Sequence, residues 1–391
     1  MQLSKYRIAV VAACPFPYPR GTPIRILRMA EALTARGHHV EVITYHLGQR
    51  MVGLPFPIHR IVDVPTYHKM TPGPTYQKVA VLDSLLAAKI LSVVNENEFD
   101  LIHAHHYEGL LASLPAARLK KIPLVFDVHT LLSSELPHYN MGLPPGLLRW
   151  IGRQLDHWLP ARADHIVAVT KTIRDRLIHE IGIPEGGVTT VYTGIEMDHF
   201  VPPPGTGPVT DPSALIYTGN LEAYQGVDLM LRAFRRVLDH RPGISLKLIT
   251  NSSLSPYKRL IHDLNLADRL QIMPSNYFKL PELLRSAGIA LSPRVECDGL
   301  PVKILNYMAT GRAIVAFEGC AETLEHGRTG LIVRNNDVEA FATAIIALLD
   351  QPAMAEKLGK AAQSDVTEFF IWEESVRLLE DIYASLAKQR A

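Results

Sequence analysis

The densest run of residues able to do chemistry is 292–311, Ser-Pro-Arg-Val-Glu-Cys-Asp-Gly-Leu-Pro-Val-Lys-Ile-Leu-Asn-Tyr-Met-Ala-Thr-Gly. An apolar run, Gly288 to Leu291, gives out just before it, as a buried strand does at its C-terminal end. A polar loop follows, and Pro301 then opens a helix at a position where a missing N–H costs nothing. Leu305 and Met308 give that helix an apolar side, and Gly311 stops it. A strand end, a Gly-containing loop and a helix N-terminus make a ready anion site, because free N–H groups and the positive end of the helix dipole converge there. Asp298, Lys303 and Asn306 lie around the same turn, whose chemistry is the holding of a phosphorylated ligand.

Strand-like runs alternate with helical patterns throughout, which is the signature of an α/β protein with parallel sheets. In the first half the expected strands are 8–13, 39–44, 101–105, 124–128 and 165–169, with helices at 24–36, 79–95 and 171–181. A Pro/Gly-rich break at 201–208 precedes a second series, with strands at 214–218, 245–249, 270–273, 288–292, 313–317 and 330–333. Helices are expected there at 227–239, 257–264, 280–286, 301–310 and 338–349. Each half reads as its own doubly wound, Rossmann-like unit, 1–204 and 205–370, with a cleft expected at the C-terminal ends of the strands.

Bulk properties narrow the function classes. At 391 residues two domains are the natural expectation. Lys+Arg of 40 against Asp+Glu of 39 argues against a nucleic-acid binder, which carries a basic excess. Cys14, Cys297 and Cys320 are odd in number and widely spaced, which suggests a reducing compartment and neither a disulfide frame nor a zinc site. The start of the chain shows no signal-peptide apolar region, and no run approaches the ~20 apolar residues of a membrane span. A cytoplasmic protein is expected.

With those pieces in place the chain resembles the GT-B glycosyltransferases, and within them the retaining, nucleotide-sugar-dependent group 1 and family 4 enzymes that include bacterial mannosyl- and glucosyltransferases. Arg20-Gly21-Thr22 and Arg36-Gly-His-His-Val40 look like the Gly-rich first loop and the end of the helix after it. Asp100-Leu-Ile-His-Ala-His105, Val125-Phe-Asp-Val-His-Thr130 and Ala163-Asp-His-Ile-Val-Ala-Val-Thr170 follow in the family's order. In the second half Tyr217-Thr-Gly-Asn-Leu-Glu-Ala-Tyr-Gln-Gly226 resembles the Gly-Arg…Lys-Gly motif. The 298–309 stretch resembles the motif of two Glu separated by seven residues. Phe369-Phe-Ile-Trp-Glu-Glu and a helix over 375–386 resemble the last segment, 371–391, that packs back on the first domain.

The resemblance implies transfer of a hexosyl group from a nucleoside-diphosphate sugar to a hydroxyl acceptor, with retention and without a metal or other cofactor. It makes His129 and Asp298 the catalytic candidates: His129 meets the transferred sugar near its reacting carbon, and Asp298 accepts from its hydroxyls. Glu296, two residues earlier, is the alternative to Asp298. The donor and its phosphates fall to Gly21, Gly219, Asn220, Gln225, Arg294, Gly299, Leu300, Pro301, Lys303 and Asn306, and the acceptor side to Arg20, Thr22 and His105. A Gly such as Gly21 in the first loop lets backbone approach a phosphate or sugar closely. The family places Arg and Lys where this chain has Asn220 and Gln225, and Glu where it has Asp298 and Asn306. Amides bring hydrogen bonds to a diphosphate but no charge, so Lys303 and Arg294 are the cations expected to replace the missing ones.

The acceptor is a sugar, a lipid-linked molecule or another small hydroxyl compound. The Pro- and aromatic-rich stretch 65–78 is an acceptor-side candidate. Leu147, Leu148, Ile151, Leu155, Trp158 and Leu159 recur at helical spacing with Arg149 and Arg153 interleaved. That pattern fits a helix packed on its own domain or one lying against lipid headgroups. Two other classes stay open: a catalytically silent sugar- or nucleotide-binding protein, and a sugar-nucleotide epimerase on the same fold.

Overall fold

A computed structural model describes residues 5–18, 21–70, 73, 75–139, 141–202, 211–297 and 299–388. The chain forms two compact units, Met1–Gly194 with Trp372–Ala391, and Ile195–Ile371. The first crossing precedes the Pro/Gly-rich run, because Ile195 already bridges to Ile371 and the Phe200 carbonyl accepts from Arg285. Most of that run, from 203 onward, lies outside the described residues, as do 209 and 210.

The first unit holds strands β1 (Arg7–Ala12), β2 (His39–Thr44), β3 (Ile58–Arg60), β4 (Leu101–His105), β5 (Leu124–Val128), β6 (His165–Ala168) and β7 (Val188–Thr190). They are all parallel, in the order β3-β2-β1-β4-β5-β6-β7. The second unit repeats the design with β8 (Asp211–Thr218), β9 (Ser245–Ile249), β10 (Leu270–Met273), β11 (Ala287–Ser292), β12 (Ala313–Phe317) and β13 (Leu331–Val333), ordered β10-β9-β8-β11-β12-β13. Both orders reverse direction beside the first strand of the unit. The crevices at β1/β4 and β8/β11 are therefore the topological switch points where such sheets take ligands. β3 and β7 are three-residue edge strands, too short to show a period in the sequence. The helix His106–Lys120, also not expected, is apolar on most sides and carries Pro115 inside, so no face stands out.

Strand alternation divides the first sheet into two faces. Ala9, Val11, Ile102, Ala104, Phe126 and Val128 join one core with Leu86, Ile90, Leu110 and Leu114 of the covering helices. Ile8, Val10, Leu101 and Val125 join the other, with Ile26, Met29 and Leu33 of the helix Gly21–Ala35. The C-terminal helix Trp372–Lys388 completes that second core through Val376, Leu379, Ile382 and Tyr383.

One ionic tie fixes this last helix. Glu380, buried, accepts from Arg36 Nη2 at 2.6 Å and Nε at 3.1 Å, and from His38 Nε2 at 3.0 Å. His38 Nδ1 accepts the Tyr6 N–H, so the ring proton sits on Nε2 and is donated to the carboxylate. Burial works against the Glu380 charge, but the hydrogen bonds from Arg36 and His38 outweigh it and hold the carboxyl below its ordinary value. Its stabilisation is complete above the free-carboxyl pKa of about 4.3 and is lost as pH falls through the lowered folded value. Glu380→Gln should cost about 2 kcal/mol at pH 7, by the scale of hydrogen bonds to charged groups. Urea unfolding at pH 7 and in steps below pH 4 checks this: the gap to the parent chain should narrow as the solution is acidified.

Candidate functional site

In the first unit the C-terminal ends of β4 and β5 carry a buried polar cluster on the face shared with the helices Gly21–Ala35 and Trp372–Lys388. His103 and His105 alternate inward on β4, His105 is in register with Asp127 of β5, and His129 follows two residues on. Period-two alternation thus puts all four side chains on one side of the sheet. Arg25 comes down from its helix to meet them. Its Nη2 lies 3.2 Å from Asp127 Oδ2 and donates to the Val191 carbonyl at 3.0 Å, while Nη1 donates to Thr193 at 2.9 Å. His103 Nε2, His105 Nδ1 and His129 Nε2 stand 3.5, 3.7 and 3.4 Å from the same carboxylate. The His105 and His129 rings share a hydrogen bond at 3.1 Å, and His103 Nδ1 meets the Tyr383 hydroxyl at 2.7 Å.

The electrostatics follow from burial. Desolvation opposes the Asp127 charge, but Arg25 first and then the histidines more than compensate, and the carboxyl is held well below its usual range. Desolvation also dominates at His105 and His129, and both imidazoles are pushed well below their ordinary value despite the nearby carboxylate. At neutral pH the Arg25–Asp127 ion pair therefore lies beside the neutral rings of His105 and His129. His103, His105 and Asp127 present ligand atoms within 4.8 Å of one another, the spacing of a metal site. The Arg25 guanidinium already occupies the Asp127 side, and a divalent ion there would be repelled by it.

His129 is positioned from beyond the strand. Asp156 of the helix Pro145–Trp158 accepts the Leu132 and Ser133 N–H groups at 2.9 and 3.0 Å, capping the short helix Leu132–Glu135. The Tyr107 hydroxyl adds a third hydrogen bond to Asp156 at 2.6 Å. His106 stacks on His129 with ring centroids 4.7 Å apart, and does so from a backbone φ of 64°, a conformation that a non-Gly residue adopts at a cost.

In the second unit Lys303 is the centre. It stands in the helix Val302–Ala309, and Nζ donates to Gln225 Oε1 at 2.6 Å and to the Tyr217 hydroxyl at 3.2 Å, above whose ring it sits at 4.5 Å. Tyr217, wholly buried at the end of β8, donates in turn to the Asn220 carbonyl at 2.7 Å. Burial first, then the neighbouring Arg294, pushes the Lys303 ammonium down to about 8. Two glycines shape the space. Gly219 has φ 136°, and a Cβ on it would come 3.2 Å from Lys303 Nζ. Gly226 has φ 68°, and a Cβ there would fall 2.1 Å from the Pro293 carbonyl oxygen, so only Gly lets the loop after β8 touch the end of β11.

Of the residues singled out from sequence, His105 joins His129, while Gln225, Gly219 and Lys303 gather in the second unit. Pro301 is the residue just before the helix rather than its first member, with ψ 86°; Gly299 and Leu300 form the turn ahead of it. Asn306 is half-buried three residues beyond Lys303. Asn220 and Arg294 bond other partners than Lys303: Asn220 Nδ2 donates to the Tyr224 hydroxyl at 3.0 Å, and Arg294 covers the Tyr224 ring at 4.8 Å while bonding the Glu296 carbonyl. Gly21, φ 40°, and Thr22 open the first helix of the chain. Arg20 and Asp298 lie outside the described residues. Arg25, His103 and Tyr217 escaped the sequence reading. Asp127 carried the available signal, since a lone carboxylate inside an apolar strand must find a cationic partner.

Comparison with known proteins places this arrangement in a family. The Glycosyltransferase Family 4 profile matches residues 19–199, and the Glycosyl transferases group 1 profile matches residues 212–351. A D-inositol 3-phosphate glycosyltransferase of Streptomyces avermitilis is 25% identical over a gapped alignment of 308 positions that covers 73% of this chain and 65% of that protein's length. Sucrose-phosphate synthase from Thermosynechococcus elongatus superposes with a TM-score of 0.79 at 19% identity, covering 98% of this chain and 99% of that one. HepE of Anabaena, solved with UDP, gives 0.77 at 16% identity over 97% of this chain and 100% of its own, and HepE has also been solved with UDP-glucose. The chain belongs to the GT-B glycosyltransferases, its first half of the family 4 type and its second of group 1.

Proposed function

We propose that the protein is a retaining glycosyltransferase that moves a hexosyl group from a nucleoside-diphosphate sugar to the hydroxyl of a sugar, a lipid-linked molecule or a small compound, without a metal. The observation that carries this reading is Lys303. It is a cation at the β8/β11 switch point, more than half-withdrawn from water, and Gln225 and Tyr217, which hold it, are both neutral. A desolvated charge held only by neutral partners is poised for an anion, and the leaving diphosphate supplies one. The group 1 match over this unit and the UDP and UDP-glucose bound to HepE support a nucleotide-sugar donor. In the transfer the bond from the anomeric carbon to the diphosphate breaks, the bond to the acceptor oxygen forms on the same face, and the acceptor proton passes to a phosphate oxygen. Positioning and electrostatics supply the catalysis. His129, neutral, hydrogen-bonded to His105, beside Asp127 and followed by a capped helix, is the group assigned to the sugar's developing positive charge. Asp298 and Asn306 are assigned to donor hydroxyls, and Arg20 and Thr22 to the acceptor side.

The same reading places the protein in the cytoplasm, with contact at the inner face of a membrane where the acceptor is lipid-linked. Among the described residues no single helix is long and apolar enough to cross a membrane. One observation favours a second reading, a protein that binds sugar nucleotides without turning them over. Asn220, Gln225 and Asn306 are neutral, and Arg294 is spent on Tyr224. Tight binding of nucleoside diphosphates with no transfer to any acceptor would select it.

Two substitutions test the leading assignment. His129→Ala should lower kcat by about 100-fold, the scale of one lost transition-state contact, while leaving the Kd for nucleoside diphosphate within a few-fold. Steady-state kinetics beside calorimetry decides, and an unchanged kcat removes His129 from the chemistry. Lys303→Met should weaken nucleoside-diphosphate binding by about 10- to 100-fold. In the parent chain that affinity should fall as pH rises through about 8, because the ammonium loses its charge there. The variant should lack this dependence, and a Kd in the variant equal to that of the parent chain would show that other groups hold the phosphates.

A further inference from the structure

The helix Pro145–Trp158 has a solvent face that neither candidate site uses. Its inner side is fixed: Leu148, Gly152 and Asp156 are buried, and a Cβ on Gly152 would fall 2.5 Å from the Ser133 nitrogen. The apolar residues that recur at helical spacing do not all share one side. Leu148 and Leu159 pack inward, whereas Leu147, Trp150 and Trp158 are 43%, 58% and 49% exposed, with Leu143 at 43% in the turn ahead. At 100° per residue Leu147, Trp150 and Trp158 share an arc of about 80°. Arg149 and Arg153 line the next arc, both exposed, and Arg162 beyond the helix stacks on the Trp158 ring at 4.7 Å.

Single exposed apolar side chains are ordinary. Two indoles and a leucine on one arc, flanked by guanidinium groups, are not. From Met141 to Ala163 the only carboxylate is Asp156, and it is buried against Tyr107, Leu132 and Ser133. The face is therefore apolar and cationic with no compensating acid on it. That combination matches the boundary of a bilayer, where indole rings settle at headgroup level and arginines pair with phosphates.

We propose that this face docks the first unit onto an anionic lipid surface. The proposal stands apart from glycosyl transfer. Its structural consequence is local to the first unit: the docked helix also carries Asp156, which caps the segment following His129, so the strand ends of this unit acquire a fixed orientation to the membrane.

The test uses the full chain with vesicles of phosphatidylcholine alone or mixed with phosphatidylglycerol, read by co-sedimentation and tryptophan emission. Trp372 is buried, so a change in emission reports Trp150 and Trp158. Binding with a blue shift is expected on the mixed vesicles only, and it should weaken with salt. Arg149→Glu with Arg153→Glu should reduce the partition coefficient at least tenfold, since each arginine near an anionic surface contributes about fivefold. Trp150→Ser with Trp158→Ser, which removes the emission reporters, should reduce co-sedimentation with the mixed vesicles at least tenfold, and thermal unfolding without lipid should match the parent chain for both pairs. Failure to bind the mixed vesicles, or equal binding by both variants, overturns the proposal. So does self-association in lipid-free sedimentation that the tryptophan pair abolishes, because the face would then belong to a second copy of the chain.

Discussion

The Arg25–Asp127 ion pair is the constraint around which the first unit is arranged. Asp127 sits at the end of a parallel strand with both faces covered, where a carboxylate without a partner would be protonated or would unfold the strand end. Its partner comes from the helix after β1, so the pair ties together β5, the first helix and, through the Val191 carbonyl and Thr193, the last segment before the chain leaves the unit. The neutral state of the surrounding rings is a consequence. One compensated charge pair can be buried, but further protonation of His105 or His129 would leave an uncompensated cation beside Arg25. Polar residues at the strand ends and apolar ones behind them divide one face of the sheet between a site and a core.

The second unit solves a different problem with a different device. Its Lys303 ammonium is held by the neutral groups of Gln225 and Tyr217 and by no carboxylate that would cancel its charge. A carboxylate partner would settle Lys303 more firmly and would compete with any phosphate. The amide of Gln225 and the hydroxyl of Tyr217 orient the ammonium while leaving its charge uncancelled, at the cost of a lowered pKa. Gly226 makes that geometry accessible by bringing the loop after β8 against Pro293.

Much of this was legible in the sequence, for physical reasons that can be named. Buried strands such as Ala313–Phe317 announce themselves because parallel strands covered on both faces are continuously apolar. Short edge strands such as Ile58–Arg60 do not, since three half-buried residues carry no period. The helix Pro145–Trp158 was visible but its orientation was not. Leu147 and Leu148 are both apolar, and only the close approach of Gly152 to Ser133 decides which of them faces in. Individual candidate residues such as His129 and Lys303 were singled out through motif order. Arg25 and Tyr217 were invisible because their partners lie about a hundred and about ninety residues away, and spacing along a chain does not report contacts across a sheet.

The neutral residues of the second unit take on a different meaning once the side chains are placed. Read as a row of motif positions, Asn220 and Gln225 are two lost cations. In space they are not equivalent. Asn220 supports the loop, its Oδ1 accepting the Glu222 N–H at 3.2 Å and its amide nitrogen donating to Tyr224, so charge there would sit on the outside of the turn. Gln225 is buried against Lys303 at 2.6 Å, where a second cation would repel the first across a hydrogen-bond distance. A Lys at 225 and the present placement of Lys303 are thus mutually exclusive: like charges at that separation in a desolvated pocket would drive one of them neutral. The glutamine follows from where Lys303 points, and of motif positions 220, 225 and 303 only 303 carries a cation.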